Sequence, residues 1–270
     1  MYRSPMKSYQ RCAGEVLYLA LAIMPFSAFA FQPLITDDTG TQGTAGKQLE
    51  FSLGEDRARK AGSTVRTQTL PVVFTRGLTE SVDVFAGLSY GRLRSDTPGG
   101  DASGGRNPSI GAKWRFYEND ACRTSLALKP ELFFPVSAER ESDGLGTGKS
   151  SGNLTLIVTQ EAPFGAVHLN AGVGRNRYRD HFSNPDSTSA RGSIAPVWDV
   201  TEKWKLALDL GVESVRAGGA RVRTKFIELG TIYSPGKDLD FAFGLIRSAD
   251  NDQPRTTTHT ANAGVTWRFQ

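Results

Sequence analysis

Between Trp204 and Val212 the chain reads Trp-Lys-Leu-Ala-Leu-Asp-Leu-Gly-Val, with Glu213 next. On an extended backbone Trp204, Leu206, Leu208, Leu210 and Val212 point one way, and Lys205, Ala207, Asp209, Gly211 and Glu213 point the other. A helix would scatter the two sets around its circumference, so a period of two this clean makes the segment a β-strand. The chemistry of the two faces then separates two kinds of β protein. Soluble barrels and sandwiches turn the apolar face inward. Here the other face carries charge and glycine, which suits a strand with lipid outside and a polar interior.

The pattern repeats along the chain. Val82, Val84, Ala86, Leu88 and Tyr90 oppose Asp83, Phe85, Gly87 and Ser89, and Ile110, Ala112, Trp114 and Phe116 oppose Gly111, Lys113 and Arg115. Leu239, Phe241, Phe243 and Leu245 oppose Asp240, Ala242 and Gly244, and Ala263, Val265, Trp267 and Phe269 oppose Asn262, Gly264, Thr266 and Arg268. Alternation is poorer over Val65 to Phe74, Ser187 to Trp198 and Val222 to Tyr233, and register there stays open. From Lys47 onward about twelve such segments are expected, an even number as a bacterial barrel with both ends in the periplasm requires.

Connections alternate between short and long. Short ones are expected around Arg76-Gly77-Leu78, Glu118-Asn119-Asp120, Ala162-Pro163, Val200-Thr201-Glu202 and Pro235-Gly236-Lys237. Longer ones are expected at Ser95 to Asn107 and Ala138 to Ser150, and near Asp56 to Gly62, Asp180 to Asp186, Ala217 to Ala220 and Ala249 to Arg255. Short periplasmic turns alternating with longer external loops fit an outer-membrane barrel. Phe74, Phe116, Tyr117, Phe164, Trp198, Trp204, Tyr233, Trp267 and Phe269 stand beside the short turns or the C-terminus as one interfacial girdle. Tyr90, Phe133, Phe134 and Tyr178 are expected in the opposite one.

The N-terminus has the three-part layout of a secretory signal. Arg3, Lys7 and Arg11 precede an apolar run from Val16 to Phe26, then Ala28-Phe29-Ala30. That run falls short of the roughly 20 residues of a spanning helix, so cleavage before Phe31 is expected, and Met6-Lys7 offers an alternative start. Loss of residues 1–30 takes the formal charge from +4 to +2, three cations and one carboxylate leaving together. The remaining basic residues are interspersed with acidic ones, which argues against a nucleic-acid partner. Cys12 leaves with the signal, and Cys122 alone can form neither an intramolecular disulfide nor a thiol pair. No later apolar run reaches helical spanning length, so a crossing must use strands. Residues 31–46 are expected as a periplasmic tail or partial plug, and residues 47–270 as one antiparallel up-and-down barrel in the outer membrane of a Gram-negative bacterium.

Two local motifs carry a resemblance. Gly264-Val265-Thr266-Trp267-Arg268-Phe269 resembles the C-terminal assembly signal of outer-membrane barrels, with Gln270 following the last aromatic. It implies the barrel assembly machinery as a partner through Gly264, Trp267 and Phe269. Pro33-Leu34-Ile35-Thr36-Asp37-Asp38-Thr39-Gly40-Thr41-Gln42-Gly43, followed by Gly46-Lys47-Gln48-Leu49-Glu50, resembles the opening of the family named for a MetA pathway of phenol degradation. The resemblance implies a transporter-like barrel over nearly the whole mature chain, with a hydrophobic or aromatic cargo. Phenol chemistry performed by the chain itself is not implied.

The inward faces collect Asp83, Lys113, Arg115, Lys129, Glu131, Lys205, Asp209, Glu213, Glu228, Asp240 and Arg268. Such groups either line a narrow aqueous path or pair with one another and fill it. Asp37 and Asp38 are the candidates for anchoring a plug, with Lys113, Arg115 and Arg268 as partners on the wall. An enzymatic role is disfavoured. His168 and Asn170 share a strand face, yet no serine stands two residues away, and His181 and His259 lie in or near loops. Gly148-Lys149-Ser150 resembles the end of a phosphate loop, but Asp143 stands where the first glycine is needed. Asp250-Asn251-Asp252 lacks the later glutamate of a calcium loop. No metal or cofactor is expected. The expected partners are outer-membrane lipid and lipopolysaccharide plus an unidentified small solute, the alternatives being a structural or surface-interaction barrel and a lipid-modifying enzyme.

Overall fold

The computed structural model describes residues 33–96, 100–182 and 184–270, so the expected signal segment and its cleavage site lie outside the described residues. Strands β1 (Lys47–Lys60), β2 (Ser63–Thr79), β3 (Val82–Ser95), β4 (Ala102–Gly105), β5 (Ser109–Asn119), β6 (Thr124–Phe133), β7 (Ser151–Ala162), β8 (Gly165–Asn176), β9 (Ser187–Asp199), β10 (Trp204–Ala217), β11 (Ala220–Gly236), β12 (Leu239–Asp250) and β13 (Thr257–Phe269) form one antiparallel sheet. Pairing of β1 with β13, from Lys47 against Phe269 to Arg59 against Thr257, closes the sheet into a barrel and removes its free edges.

Twelve long strands make the wall, and β4 is the thirteenth. Both β4 and β5 pair with β3, the first at Tyr90 to Leu93 and the second at Val82 to Gly87. They are one wall strand broken at Arg106-Asn107-Pro108. Pro108 has no N–H for the ladder, and the Asn107 amide turns away to Phe134 O and Thr147 O. Among the described residues no helix is long and apolar enough to cross a membrane. A short helix, α1 (Ala138–Ser142), lies in the loop between β6 and β7 and is capped by Ser137.

The expected alternation fixes the faces. Leu206, Leu210, Val212, Leu88, Ile110, Phe241, Phe243 and Leu245 are exposed on the outer surface, while Asp209, Asp83 and Asp240 are buried inside. The turn expected at Arg76-Gly77-Leu78 is displaced. β2 runs on to Thr79, with a register shift between Gly77 and Thr79, and Glu80-Ser81 make the turn. Two connections expected to be longer are instead two-residue hairpins. Ala61-Gly62 join β1 to β2 and Gly218-Gly219 join β10 to β11, all four at positive φ as type I′ geometry requires. Asp56, Arg57, Arg59 and Lys60 therefore belong to strand. Above the lipid a strand no longer needs apolar outward side chains, so charge does not end it.

Aromatics gather at the end where the short turns and C-terminus lie, the periplasmic end by the loop-length rule. Trp204 stacks near Tyr233 and Trp267 near Phe269, each at 4.7 Å between ring centroids. At the opposite end Tyr90 and Phe134 face outward, whereas Phe133 and Tyr178 are buried inside and are no part of a girdle. Adjacent residues of one strand face opposite ways, so only one of Phe133 and Phe134 can meet lipid.

Candidate functional site

A tilted twelve-stranded wall encloses a space too wide for its own side chains to fill everywhere. The periplasmic half of that space holds the chain's own residues 33–46. Pro33 O accepts from Asn262 Nδ2 at 3.1 Å on β13, and Ile35 N donates to Glu228 at 3.2 Å on β11. Thr36 N donates to Asp209 at 2.7 Å, and the Thr36 hydroxyl lies 2.7 Å from both Asp209 and Ser193. Thr39 N donates to Thr159 Oγ1 on β7, and its hydroxyl meets Ser125 on β6. The segment thus crosses the lumen from one wall to the other.

Asp37 sits at the centre of this crossing. Its carboxylate accepts from Lys113 Nζ at 2.9 Å and from Lys129 Nζ at 2.7 Å. The Asn170 amide, in the orientation that satisfies its hydrogen bonds, donates to Asp37 O and accepts from Asp37 N. Burial by itself would raise the Asp37 pKa, but the two ammonium groups outweigh it and hold the carboxyl down at about 2. Lys129 also lies 5.1 Å from the centroid of the Phe85 ring, which fits over Gly111, where a Cβ would come within 2.3 Å of that ring. The Asp38 side chain turns back on its own backbone, accepting from Gly40 N at 2.6 Å and standing 3.8 Å from Lys113 Nζ, which instead donates to Asp38 O at 3.0 Å.

Beyond Gly40 the segment drops to the mouth. Gln42 N donates to the Asp83 carboxylate on β3, and Thr44 N donates to Glu80 in the β2–β3 turn. The Glu80 pKa is lowered, chiefly by its bond from Thr44. Gly77 N donates to Gly46 O at 2.8 Å and Ala45 N donates to Gly77 O at 3.1 Å, so β2 receives the segment backbone to backbone. Nearly all of this is polar. The apolar anchor is Leu34, packed on Ala195, Val197 and Ala207.

A second cover lies at the other end. The loop 134–150, containing α1, folds inward and buries Val136 and Leu145. Asn107 donates to the carbonyls of Phe134 and Thr147 and accepts from Thr147 N at 2.8 Å. Glu141 accepts from the backbone N–H groups of Arg179 and Asp180, fixing the loop to the next one. Around it the inner wall is mixed: Val65, Leu93, Phe133 and Val215 are buried there, and so is Lys60, while Glu213 stands opposite Arg191.

The structure places the residues expected to face inward in three groups. Lys113, Lys129, Asp83, Asp209 and Glu228 hold the segment directly. Arg268 pairs with Asp240 at 2.7 Å, Lys205 with Asp199 at 2.7 Å, and Arg115 reaches Glu80 O and Glu118 near the mouth. Glu131 is buried, and Glu213 stands opposite Arg191 farther from the mouth. Of the three wall partners expected for Asp37, only Lys113 reaches it. Arg115 and Arg268 lie nearer the mouth, and Lys129, paired across from β5 on the adjoining strand, takes their place.

Sequence reasoning missed Ser125, Thr159, Asn170, Ser193 and Asn262. They are the small polar residues of inward faces, and nothing in their spacing marks them before the segment is seen against them. His168 is buried and 3.0 Å from Thr159 Oγ1, beneath the crossing. Lys149, the lysine of the phosphate-loop-like stretch, meets His181 at 2.7 Å. Asp252 pairs with Lys60, and Asp250 caps its own loop by accepting from Asp252 N and Thr256 N.

Comparison with solved structures finds the same barrel elsewhere. An outer membrane channel from Pseudomonas putida F1 superposes with a TM-score of 0.70 at 16% identity, over 86% of this chain and 98% of that one. The β domain of the Bordetella autotransporter BrkA gives 0.57 at 15% identity, over 83% and 100%. The KdgM porin in complex with disordered oligogalacturonate gives 0.50 at 7% identity, over 82% and 99%. Likeness at these identities establishes the barrel fold of outer-membrane channels and porins and leaves the cargo open. No curated protein matches the sequence. The family model described as "Putative MetA-pathway of phenol degradation" matches residues 36–269, from the threonine that crosses the lumen to the last aromatic of the closing strand, and the chain belongs to that family.

Proposed function

We propose that the protein passes small hydrophobic or aromatic molecules across the outer membrane through the barrel interior, with residues 33–46 as a displaceable gate. The observation that carries this reading is how the lumen is closed. A barrel with a purely structural interior fills it with side chains of the wall, as small barrels do. Here a separate stretch of backbone does the filling, held by hydrogen bonds and ion pairs with one leucine anchored. Neutral bonds in this set contribute only about 0.5 to 1.5 kcal/mol net each, and those to charged groups about 1.5 to 3, because water takes the partner's place on release. A hydrophobic anchor of core size would not exchange so readily with water.

The family resemblance and apolar patches of the inner wall at the extracellular end support this cargo class. Val65, Leu93, Phe133 and Val215 offer apolar surface there beside Lys60 and the Glu213–Arg191 pair. The test is planar-bilayer conductance and proteoliposome uptake of an aromatic probe such as toluene, for wild type and for a deletion of residues 31–46. The deletion retains every strand and the C-terminal signal, so assembly is expected, with higher conductance and faster uptake. An assembled deletion that conducts and takes up toluene like the wild type would instead support a structural or surface-interaction barrel.

A further inference from the structure

The outer surface carries a feature that the interior does not explain. On β3, β2, β1, β13 and β12 the outward residues Arg94, Arg66, Arg57, His259 and Arg247 form one row across the wall, each directly opposite the next and, at a strand tilt of about 40°, each roughly 3 Å higher than the one before it from β12 to β3. Arg66 pairs in register with Arg94, Arg57 with Arg66, His259 with Arg57, and Arg247 with His259. All five are exposed. Arg92 and Arg59 flank the row below and above; on β11 the residue opposite Arg247 is Ile227, and the exposed cations Lys225 and Arg223 stand above it. Like charges directly opposite on neighbouring strands repel. Among the described residues no ion pair joins any of these arginines to a carboxylate. The nearby acids are Glu55, the next outward position below Arg57 and hydrogen-bonded to Gln68, Asp96 above, which accepts from Thr64 N, and Asp101, which accepts from Ser95 N.

Height decides what could neutralise the row. His259 lies eight residues along β13 from Trp267 of the periplasmic girdle. At about 3.4 Å per residue and a tilt of about 40°, that is roughly 20 Å along the membrane normal, close to the top of an apolar band about 25 Å tall. Below the row the outward residues are Leu53, Phe51, Leu70, Leu88, Phe243 and Leu245, all exposed and apolar. The change from leucine and phenylalanine to arginine is therefore placed where the acyl chains of the outer leaflet end and their headgroups begin. The opposite wall differs. There the outward positions at the strand ends include Phe134 and Leu154, and Arg175 already faces Asp186 at 3.9 Å. The in-register row is confined to β3, β2, β1, β13 and β12, and on the adjoining β10–β11 hairpin Arg216 and Arg221, both exposed, stand opposite each other.

We propose that this face binds the phosphate groups of the lipid A part of lipopolysaccharide, with Arg57, Arg66 and Arg94 as its centre. Guanidinium groups grip phosphate through paired N–H donors, and a lipid with two phosphates bridges neighbours that would otherwise repel. The apolar strip below accepts the acyl chains. The inference rests on the barrel lying in an outer membrane, so the first measurement is fractionation. Recovery of the chain as a soluble protein would remove that reading and this one with it.

For protein recovered with the outer membrane, native mass spectrometry of delipidated barrel titrated with diphosphoryl lipid A tests the site itself. Arg57→Gln, Arg66→Gln and Arg94→Gln together are expected to weaken binding on the order of a hundredfold. Removing the same charge at the other end, by Arg76→Gln, Lys203→Gln and Lys237→Gln, is expected to change it little. Wild-type protein alone supplies a second arm needing no variant, since fully dephosphorylated lipid A is expected to bind far more weakly than the diphosphoryl form. Equal binding of the two forms, or of phosphatidylglycerol and diphosphoryl lipid A, overturns the proposal while leaving the transport reading intact. So does an arginine triple variant that keeps its heat-modifiable fold and binds like the wild type.

Discussion

With two lysine ammonium groups within 2.9 Å, the Asp37 carboxylate ties the crossing segment to β5 and β6. Its docked pKa is about 2, against about 3.9 for an aspartate in a released, solvated segment. A group whose pKa is depressed by docking favours the docked state above the free value, and loses that contribution as pH falls through the docked one. Conductance of the wild type is therefore expected to be flat from pH 7 to about 4 and to rise only below that. Asp37→Asn is expected to conduct more already at pH 7 and to lack the acid rise, because buried lysines are left without their anion. A wild-type conductance that climbs between pH 6 and 5 would show that titration of another group holding the segment, and not of Asp37, governs its release. Asp37 could be read as an anchor from sequence because a charged pair in an otherwise uncharged stretch needs partners. Which of Asp37 and Asp38 takes the lysines could not, since that depends on Asp38 folding back onto Gly40 N.

Among the elements, legibility followed what each face touches. β10, β3, β12 and β13 alternate cleanly because lipid lies on one side and charged or glycine positions on the other. β2, β9 and β11 alternate poorly because parts of their inner faces are apolar too. Ala195 and Val197 of β9 lie under Leu34, Ile232 of β11 is buried, and Val65 of β2 is buried at the extracellular end. Those positions meet chain rather than water, so the two-state pattern fades where the interior is stoppered. Gly77 is a related case. Its place in β2, rather than in a turn, leaves bare backbone against the segment, and a Cβ there would fall 1.7 Å from Gly43 O. Gly77→Ala is accordingly expected to push residues 43–46 off the wall and raise conductance, with the barrel still assembling and migrating anomalously until boiled. Unchanged conductance in that variant would mean that the mouth end of the segment does not limit flow.

At the scale of the whole molecule, the closed β1–β13 seam makes the wall a continuous hydrogen-bonded ring, while the segment inside it is joined covalently only at Lys47 among the described residues. Motion that opens a path is thus cheapest in the segment, whose release breaks side-chain contacts and the two backbone bonds to Gly77, and dearest in the wall, where whole ladders would have to part together. A reversible tether tests this division. The Thr36 hydroxyl and the Ser193 hydroxyl are 2.7 Å apart, which brings a pair of cysteine sulfurs at these positions within reach of each other. In a Cys122→Ser background, which removes the exposed free thiol, Thr36→Cys with Ser193→Cys is expected to block toluene uptake when oxidised and to restore it on addition of dithiothreitol. Each single cysteine variant should be indifferent to the reductant. Uptake that stays the same with the tether formed, as verified by thiol labelling of the oxidised protein, would mean that solute takes a route for which the segment need not move, and the gate assigned to residues 33–46 would have to be abandoned.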